Sequence, residues 1–324
     1  MGGARGVPVS TFVDPASHRA LAALLAERPG GVNAIPGLSR RRAVADALDA
    51  QRRLVDAPGL RVADDVVPSR ADHDIAVRTY RPADPQGPLV LYVHGGGMVM
   101  GSLDGGDVEA ARLAELLDAE VVSVGYRLAP EHPYPAAVDD CHDVARWLLA
   151  RVGDRPYVLY GGSAGGGLVL ATALRLRDDG ARPARLVMAP YPMVDHSDTS
   201  YSTRTLPPLG VWDREHNREA WTWYLGADLP DGCAAPLHAD LAGLPPVFLD
   251  VGTADIFLDD TVDLARRLWR CGVPTELHVW PGAFHAAEHI APEAPLSHAV
   301  WSARTDALRR AAAVEPTSET APTA

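Results

Sequence analysis

The five residues Gly161-Gly162-Ser163-Ala164-Gly165 form the first arrangement able to do chemistry. They follow a short apolar run at 157–160 and precede a helix-like stretch that Gly180 ends. A turn this tight between strand and helix needs small residues two before and two after the serine, and both are glycine here. The turn lifts the Ser163 hydroxyl above the sheet, over a helix N-terminus whose dipole favours negative charge. The motif alone reads equally as a plain glycine-rich turn that binds a phosphate or nothing. A second loop, His94-Gly95-Gly96-Gly97, directly follows the apolar run 89–93. Successive glycines let backbone N–H groups turn inward without a Cβ clash. Donors fixed this way, with the Ala164 N–H as partner, can then meet an oxyanion developing on a carbonyl oxygen. The other reading is a phosphate cradle, but no G-x-x-x-x-G-K-[ST] accompanies the loop. His94, at a strand end, reads as a loop-bracing residue whose ring bonds the loop backbone, not as a base.

Serine is a weak nucleophile without a base, and the base needs a carboxylate to fix its tautomer. Asp255 follows the apolar run 247–250 by a short loop, and His285 follows the run 276–280 by the turn Pro281-Gly282-Ala283-Phe284. Both fall at strand C-terminal ends, on the rim that carries Ser163. Rival carboxylates are Asp250, at a strand end, and Asp259 and Asp260, which suit the first turn of the next helix. His289 is the nearest rival to His285. The run His285-Ala286-Ala287-Glu288-His289 also matches a zinc-protease pattern. That pattern needs one continuous helix, and here it follows Pro-Gly and runs into Pro292.

The elements that must hold these residues alternate. Apolar runs at 89–93, 121–124, 157–160, 186–189, 247–250 and 276–280 read as strands, and 75–80 alternates as an edge or antiparallel strand does. Continuous apolar strands are buried on both faces. Helices are expected at 15–27, at 39–55 with Ser39 as N-cap, from Pro135 to about 151, up to about 179, at 258–271 and at 296–313. The alternation implies a mostly parallel sheet flanked by helices. It breaks between 192 and 245, where Trp212, Trp221 and Trp223 sit in a helix-like segment. The expected organisation is N-terminal cap helices at 1–60, a core at 61–192, a cap insertion and return at 193–245, a second core part at 246–313 and a disordered tail at 314–324.

Composition removes several functions. The 324 residues carry 42 acidic and 30 basic side chains, a formal net charge of −12, so no basic footprint for nucleic acid or an anionic membrane exists. All the basic residues are arginine, which excludes a Schiff-base lysine and a P-loop lysine. Cys141, Cys233 and Cys271 are far apart and form no C-x-x-C. No apolar run approaches the roughly 18 residues of a membrane span. The expectation is a cytoplasmic protein with no metal and no organic cofactor.

Together the motifs resemble those of the bacterial hormone-sensitive-lipase-like, or family IV, carboxylesterases of the α/β-hydrolase superfamily. The resemblance spans about 67–311. It rests on His94–Gly97, on Tyr126-Arg-Leu-Ala-Pro-Glu-His-Pro-Tyr-Pro-Ala-Ala137, on Gly161–Gly166, and on the Asp255 and Pro281–His285 segments. It implies an α/β-hydrolase fold with a helical cap, and hydrolysis of short- to medium-chain acyl esters through a serine acyl-enzyme. Ser163 is then the nucleophile, His285 the base and Asp255 the orienting acid, with Gly96, Gly97 and Ala164 as the oxyanion hole. The expected partner is a small-molecule ester, and dimers are common in the family. The Tyr126 stretch is expected to be a structural turn packed below the nucleophile loop. The chain departs from the family at Gly162, where Asp or Thr is usual. It departs again in Asp255-Ile-Phe, where Asp-Pro-Leu is favoured, and at Ala286-Ala287, where Gly-Phe is usual. An acyltransferase, thioesterase or lactonase would use the same triad. A ligand-binding receptor on this scaffold is expected to lack a triad member, and none is missing.

Overall fold

A computed structural model describes residues 12–52, 57–227 and 230–313. In chain order the elements begin with α1 (Pro15–Glu27), α2 (Leu38–Arg52), β1 (Leu60–Pro68), β2 (Asp74–Pro82), β3 (Leu89–Val93), α3 (Leu103–Leu117) and β4 (Glu120–Gly125). There follow α4 (Ala136–Val152), β5 (Tyr157–Gly161), α5 (Ala164–Asp178), β6 (Leu186–Pro190), α6 (Tyr201–Thr205) and α7 (Arg214–Leu225). The chain closes with β7 (Val247–Ala254), α8 (Leu258–Arg270), β8 (Thr275–Phe284), α9 (Ala287–Ile290) and α10 (Pro295–Ala313).

Among the described residues the strands form one eight-stranded sheet in the order β1-β2-β4-β3-β5-β6-β7-β8. β2 is antiparallel to both β1 and β4, and every pairing from β4 through β3 to β8 is parallel. The sheet has an apolar layer on each face. Leu89, Leu91 and Val93 of β3 join Leu159, Val187 and Leu249 on the face covered by α4, α5 and α8. Val90 and Tyr92 join Val158, Met188 and Phe248 on the face covered by α3 and α10. Successive strand residues point to opposite faces. Two covered faces therefore account for the unbroken apolar runs.

Several local expectations need correction. Helix α2 starts at Leu38, one residue before the expected cap Ser39, and the expected end of that helix at 53–55 lies outside the described residues. The Pro281–Phe284 segment is not a turn but the last part of β8. Strand β8 is the sheet edge, where a proline leaves no ladder bond unmade on its open side. The runs at 247–250 and 276–280 extend into longer strands, joined with a bulge between Gly252 and Ala254. β1 and α3 were not expected. β1 is exposed along most of both faces, so its sequence has no clear alternation. α3 contains Gly105-Gly106 in its first turn, and Ser102 caps it by accepting from the Gly105 N–H. The expected tail at 314–324 lies outside the described residues. No helix among them is long and apolar enough to cross a membrane.

Candidate active site

The site is built where β5 turns into α5. Ser163 occupies that turn with φ 56° and ψ −121°, a conformation non-glycine residues rarely take. The turn is closed so tightly that a Cβ on Gly161 would lie 2.5 Å from the Gly165 carbonyl oxygen, and one on Gly165 would lie 2.1 Å from that of Val93. Backbone bonds hold the serine in this posture. Its N–H donates to the Pro190 carbonyl (3.0 Å), and its carbonyl accepts from the N–H groups of Gly167 (3.2 Å) and Met193 (2.9 Å).

His285, just past the end of β8, places Nε2 3.0 Å from Ser163 Oγ and Nδ1 2.8 Å from Asp255 Oδ2. Asp255 lies just past β7 and is buried; its other oxygen accepts from the Phe257 N–H (3.0 Å). The carboxylate is therefore fixed before the imidazole meets it. Rings surround the imidazole, with Tyr191 and Phe257 edge-on at centroid distances of 4.9 and 5.3 Å, and Trp212 tilted at 6.5 Å.

The rival residues are engaged elsewhere. Asp250 accepts two hydrogen bonds from Arg304 (2.8 and 2.9 Å), and Asp259 accepts from the Ser202 N–H (2.7 Å). Asp260 is buried in α8, and burial, with Asp195 nearby, pushes its carboxyl up to about 7. His289 packs edge-on against Trp301 and lies 3.4 Å from Glu288. Only one short helix turn, α9, covers the H-x-x-E-H run, and it begins after His285. The two histidines therefore do not share a helix face. Glu288 instead accepts from the Tyr191 hydroxyl (2.6 Å) and Arg304 (2.7 Å).

The glycine loop lies against the turn that carries Ser163. A Cβ on Gly95 would be 3.5 Å from the Ser163 Cβ. Gly96 and Gly97 take φ of 105° and 65°. A Cβ at Gly97 would strike the Trp212 ring at 2.3 Å, so that ring packs directly on the loop. Ala164 is the first residue of α5, a position whose N–H has no intrahelical acceptor. His94 Nδ1 lies 2.8 Å from the Gly95 carbonyl, and its ring stacks on Tyr126 at 4.2 Å. Burial lowers the His94 imidazole to about 4, so it is neutral at physiological pH. The Tyr126 hydroxyl donates to the His94 and Gly95 carbonyls (3.1 and 3.2 Å). The Tyr126 stretch thus starts by bracing the glycine loop.

Sequence reasoning missed Tyr191, Glu288 and Arg304. Tyr191 fills the space beside Gly162, where a Cβ would come within 3.2 Å of its ring. It links the ring shell of His285 to the buried Glu288–Arg304–Asp250 chain. The one sequence sign of Tyr191 was the missing side chain at Gly162. Ala286, at the third departure, sits in the left-handed region with φ 56°.

A family model described as an alpha/beta hydrolase fold matches residues 90–289. Carboxylesterase NlhH of Mycobacterium tuberculosis is 34% identical over 316 residues, covering 93% of this chain and 98% of that protein. Among solved structures, a bacterial heroin esterase superposes with a TM-score of 0.84 at 31% identity, over 94% of this chain and 99% of that one. An esterase of the bacterial hormone-sensitive lipase family superposes with a TM-score of 0.80 at 30% identity, over 92% and 98%. The fold and these likenesses define an α/β hydrolase acting on ester bonds, and the chain belongs to the hormone-sensitive-lipase-like esterases within that family.

Proposed function

We propose that this protein is a serine carboxylesterase for short- to medium-chain acyl esters. The observation that carries the reading is the unbroken relay from Ser163 Oγ through His285 to Asp255, at 3.0 and 2.8 Å, on a strained turn. In this reading Ser163 Oγ attacks the ester carbonyl carbon while its proton passes to His285 Nε2. The carbonyl oxygen becomes an oxyanion held by the N–H groups of Gly96, Gly97 and Ala164. His285 returns the proton to the departing alcohol as the C–O bond breaks. Water then attacks the acyl-enzyme with His285 as base, which frees the carboxylic acid and restores the serine. Asp255 holds the ring in the tautomer that presents Nε2 to Ser163 and stabilises the imidazolium.

In this reading the described residues within 1–60 and the insertion that begins at 193 form a cap over this site, before the chain returns to the core by 245. Trp212, packed on Gly97 and next to His285, supports that assignment. The space beside His285 is only about 10 Å³, lined by Trp212, Leu209, Ile256 and Phe284, which is about one water. The net charge of −12 suits a soluble enzyme acting on neutral esters.

The test is hydrolysis of p-nitrophenyl esters of two, four, eight and twelve carbons by wild type and Ser163→Ala. Turnover of the shorter esters that vanishes in the variant supports the reading. Wild-type rates in Ser163→Ala end it.

A further inference from the structure

The segment leaving β6 carries a cluster that the ester chemistry does not use. Asp195, His196 and His238 bring one carboxylate oxygen and two imidazole nitrogens within 4.8 Å of one another. His238 Nε2 lies 2.8 Å from Asp195 Oδ1, and His196 Nδ1 lies 3.9 Å from the same oxygen. His238 comes from a short 3-10 turn (Pro236–His238), 42 residues beyond His196, so the fold brings the cluster together.

We infer that Asp195, His196 and His238 form a binding site for a divalent late first-row metal ion, with zinc the best fit. Two neutral imidazoles and a carboxylate form a donor set that suits zinc, with water in the fourth position. Tetrahedral bonds of about 2.0–2.1 Å put neighbouring donors about 3.3 Å apart. The two distances at Asp195 Oδ1, 2.8 and 3.9 Å, straddle that edge, and no two donors are more than 4.8 Å apart, so the side chains must close in by at most about 1.5 Å to seat the ion.

Three further observations point the same way. His196 Nδ1 is buried and has no hydrogen-bond partner among the described residues, although a buried polar atom of this kind normally has one. Asp195 is itself buried and oriented. The Ser197 N–H donates to Oδ1 (3.0 Å), and the Ser197 hydroxyl donates to Oδ2, the outer-shell support that metal carboxylates have. His238 is half exposed, which leaves an entry path.

The position indicates a clamp, not a reaction centre. Two residues before Asp195, the Met193 N–H bonds the Ser163 carbonyl, and the Leu237 N–H bonds the Val194 carbonyl (3.1 Å). The His196 ring meets Trp221 of α7 edge-on at 6.1 Å. A metal here ties the segment behind the nucleophile to the return of the chain from α7. It takes no part in bond making or breaking.

The experiment uses the untagged full-length chain, freed of metal with a chelator and dialysed. Zinc binding is followed by calorimetry, cobalt binding by its visible absorption, and thermal unfolding is recorded with and without zinc. The expected result is one zinc per chain, a tetrahedral cobalt spectrum and a melting temperature raised by zinc, since only the folded state holds the site. His238→Ala removes a half-exposed side chain and His196→Gln keeps a polar group, so both variants should fold. Each should weaken zinc by at least about 10-fold and lose the zinc-dependent rise in melting temperature. His298→Ala, at an exposed position outside the cluster, should change nothing. Absence of stoichiometric binding overturns the inference, and so does binding that survives either ligand substitution.

Discussion

The turn that carries Ser163 stores strain, and glycine should release it. Ser163 holds φ 56° and ψ −121°. A non-glycine residue in so sparsely populated a region costs about 1–3 kcal/mol. Ser163→Ala keeps the Cβ and hence the strain, while Ser163→Gly removes it. Both variants lose the 3.0 Å contact between Oγ and His285, so that loss cancels between them. Glycine adds about 0.5–1 kcal/mol of unfolded-chain entropy against folding. The difference leaves Ser163→Gly more stable than Ser163→Ala by up to about 2.5 kcal/mol. For a chain of 324 residues, at about 2.1 cal/mol/K of unfolding entropy per residue, that is up to about 4 °C in melting temperature. Paired thermal scans at equal concentration and pH measure it, with guanidinium midpoints as the second probe. If Ser163→Gly melts at or below Ser163→Ala, the backbone at 163 is relaxed. The hydrogen bonds from Met193 and Gly167 would then hold a conformation that needs no holding.

Three other perturbations test the surroundings. Arg304 is buried, with two bonds to Asp250 and one to Glu288, and Arg304→Met strands two carboxylates; unfolding should become easier by about 3–5 kcal/mol, read as a lower denaturant midpoint. A loss under about 1 kcal/mol would show that the chain of charges is not dry. Burial opposes the Glu288 carboxylate, but Arg304, His289 and the Tyr191 hydroxyl outweigh it and hold the group down at about 2 against an ordinary 4.5. Its folded value is depressed, so its stabilisation is complete above 4.5 and fades as the pH falls from 4.5 toward 2. Glu288→Gln should therefore flatten the melting-temperature profile in that window, and an unchanged slope there would refute the assignment. Trp212→Ala removes the ring that closes the space beside His285, so the acyl-length profile should shift toward eight and twelve carbons; an unchanged profile would place the acyl group elsewhere.

The sequence carries those features of the site that the backbone itself demands. Ser163 and the glycine loop are legible because a strained turn and a loop pressed against it admit few residue types. Their glycines therefore mark the geometry directly. His285 and Asp255 are legible by position, since each follows an apolar run and parallel strands deliver such residues to one rim. A pattern fails where composition disguises an element. β8 hides its last residues behind Pro281-Gly282, a pair that signals a turn anywhere except on a sheet edge. β1 lacks alternation because both its faces are largely exposed. The charged chain behind His285 is harder still. Asp250, Glu288 and Arg304 lie on separate elements, and no local period marks residues whose only common feature is a shared guanidinium. The same holds for Asp195, His196 and His238, whose chemistry exists only after β6 and the return from α7 meet. Local backbone constraints are written in neighbouring residues, whereas pairings of buried charge are written only in the fold. The groups that support the Ser163–His285–Asp255 relay are therefore visible only once the chain has closed around it.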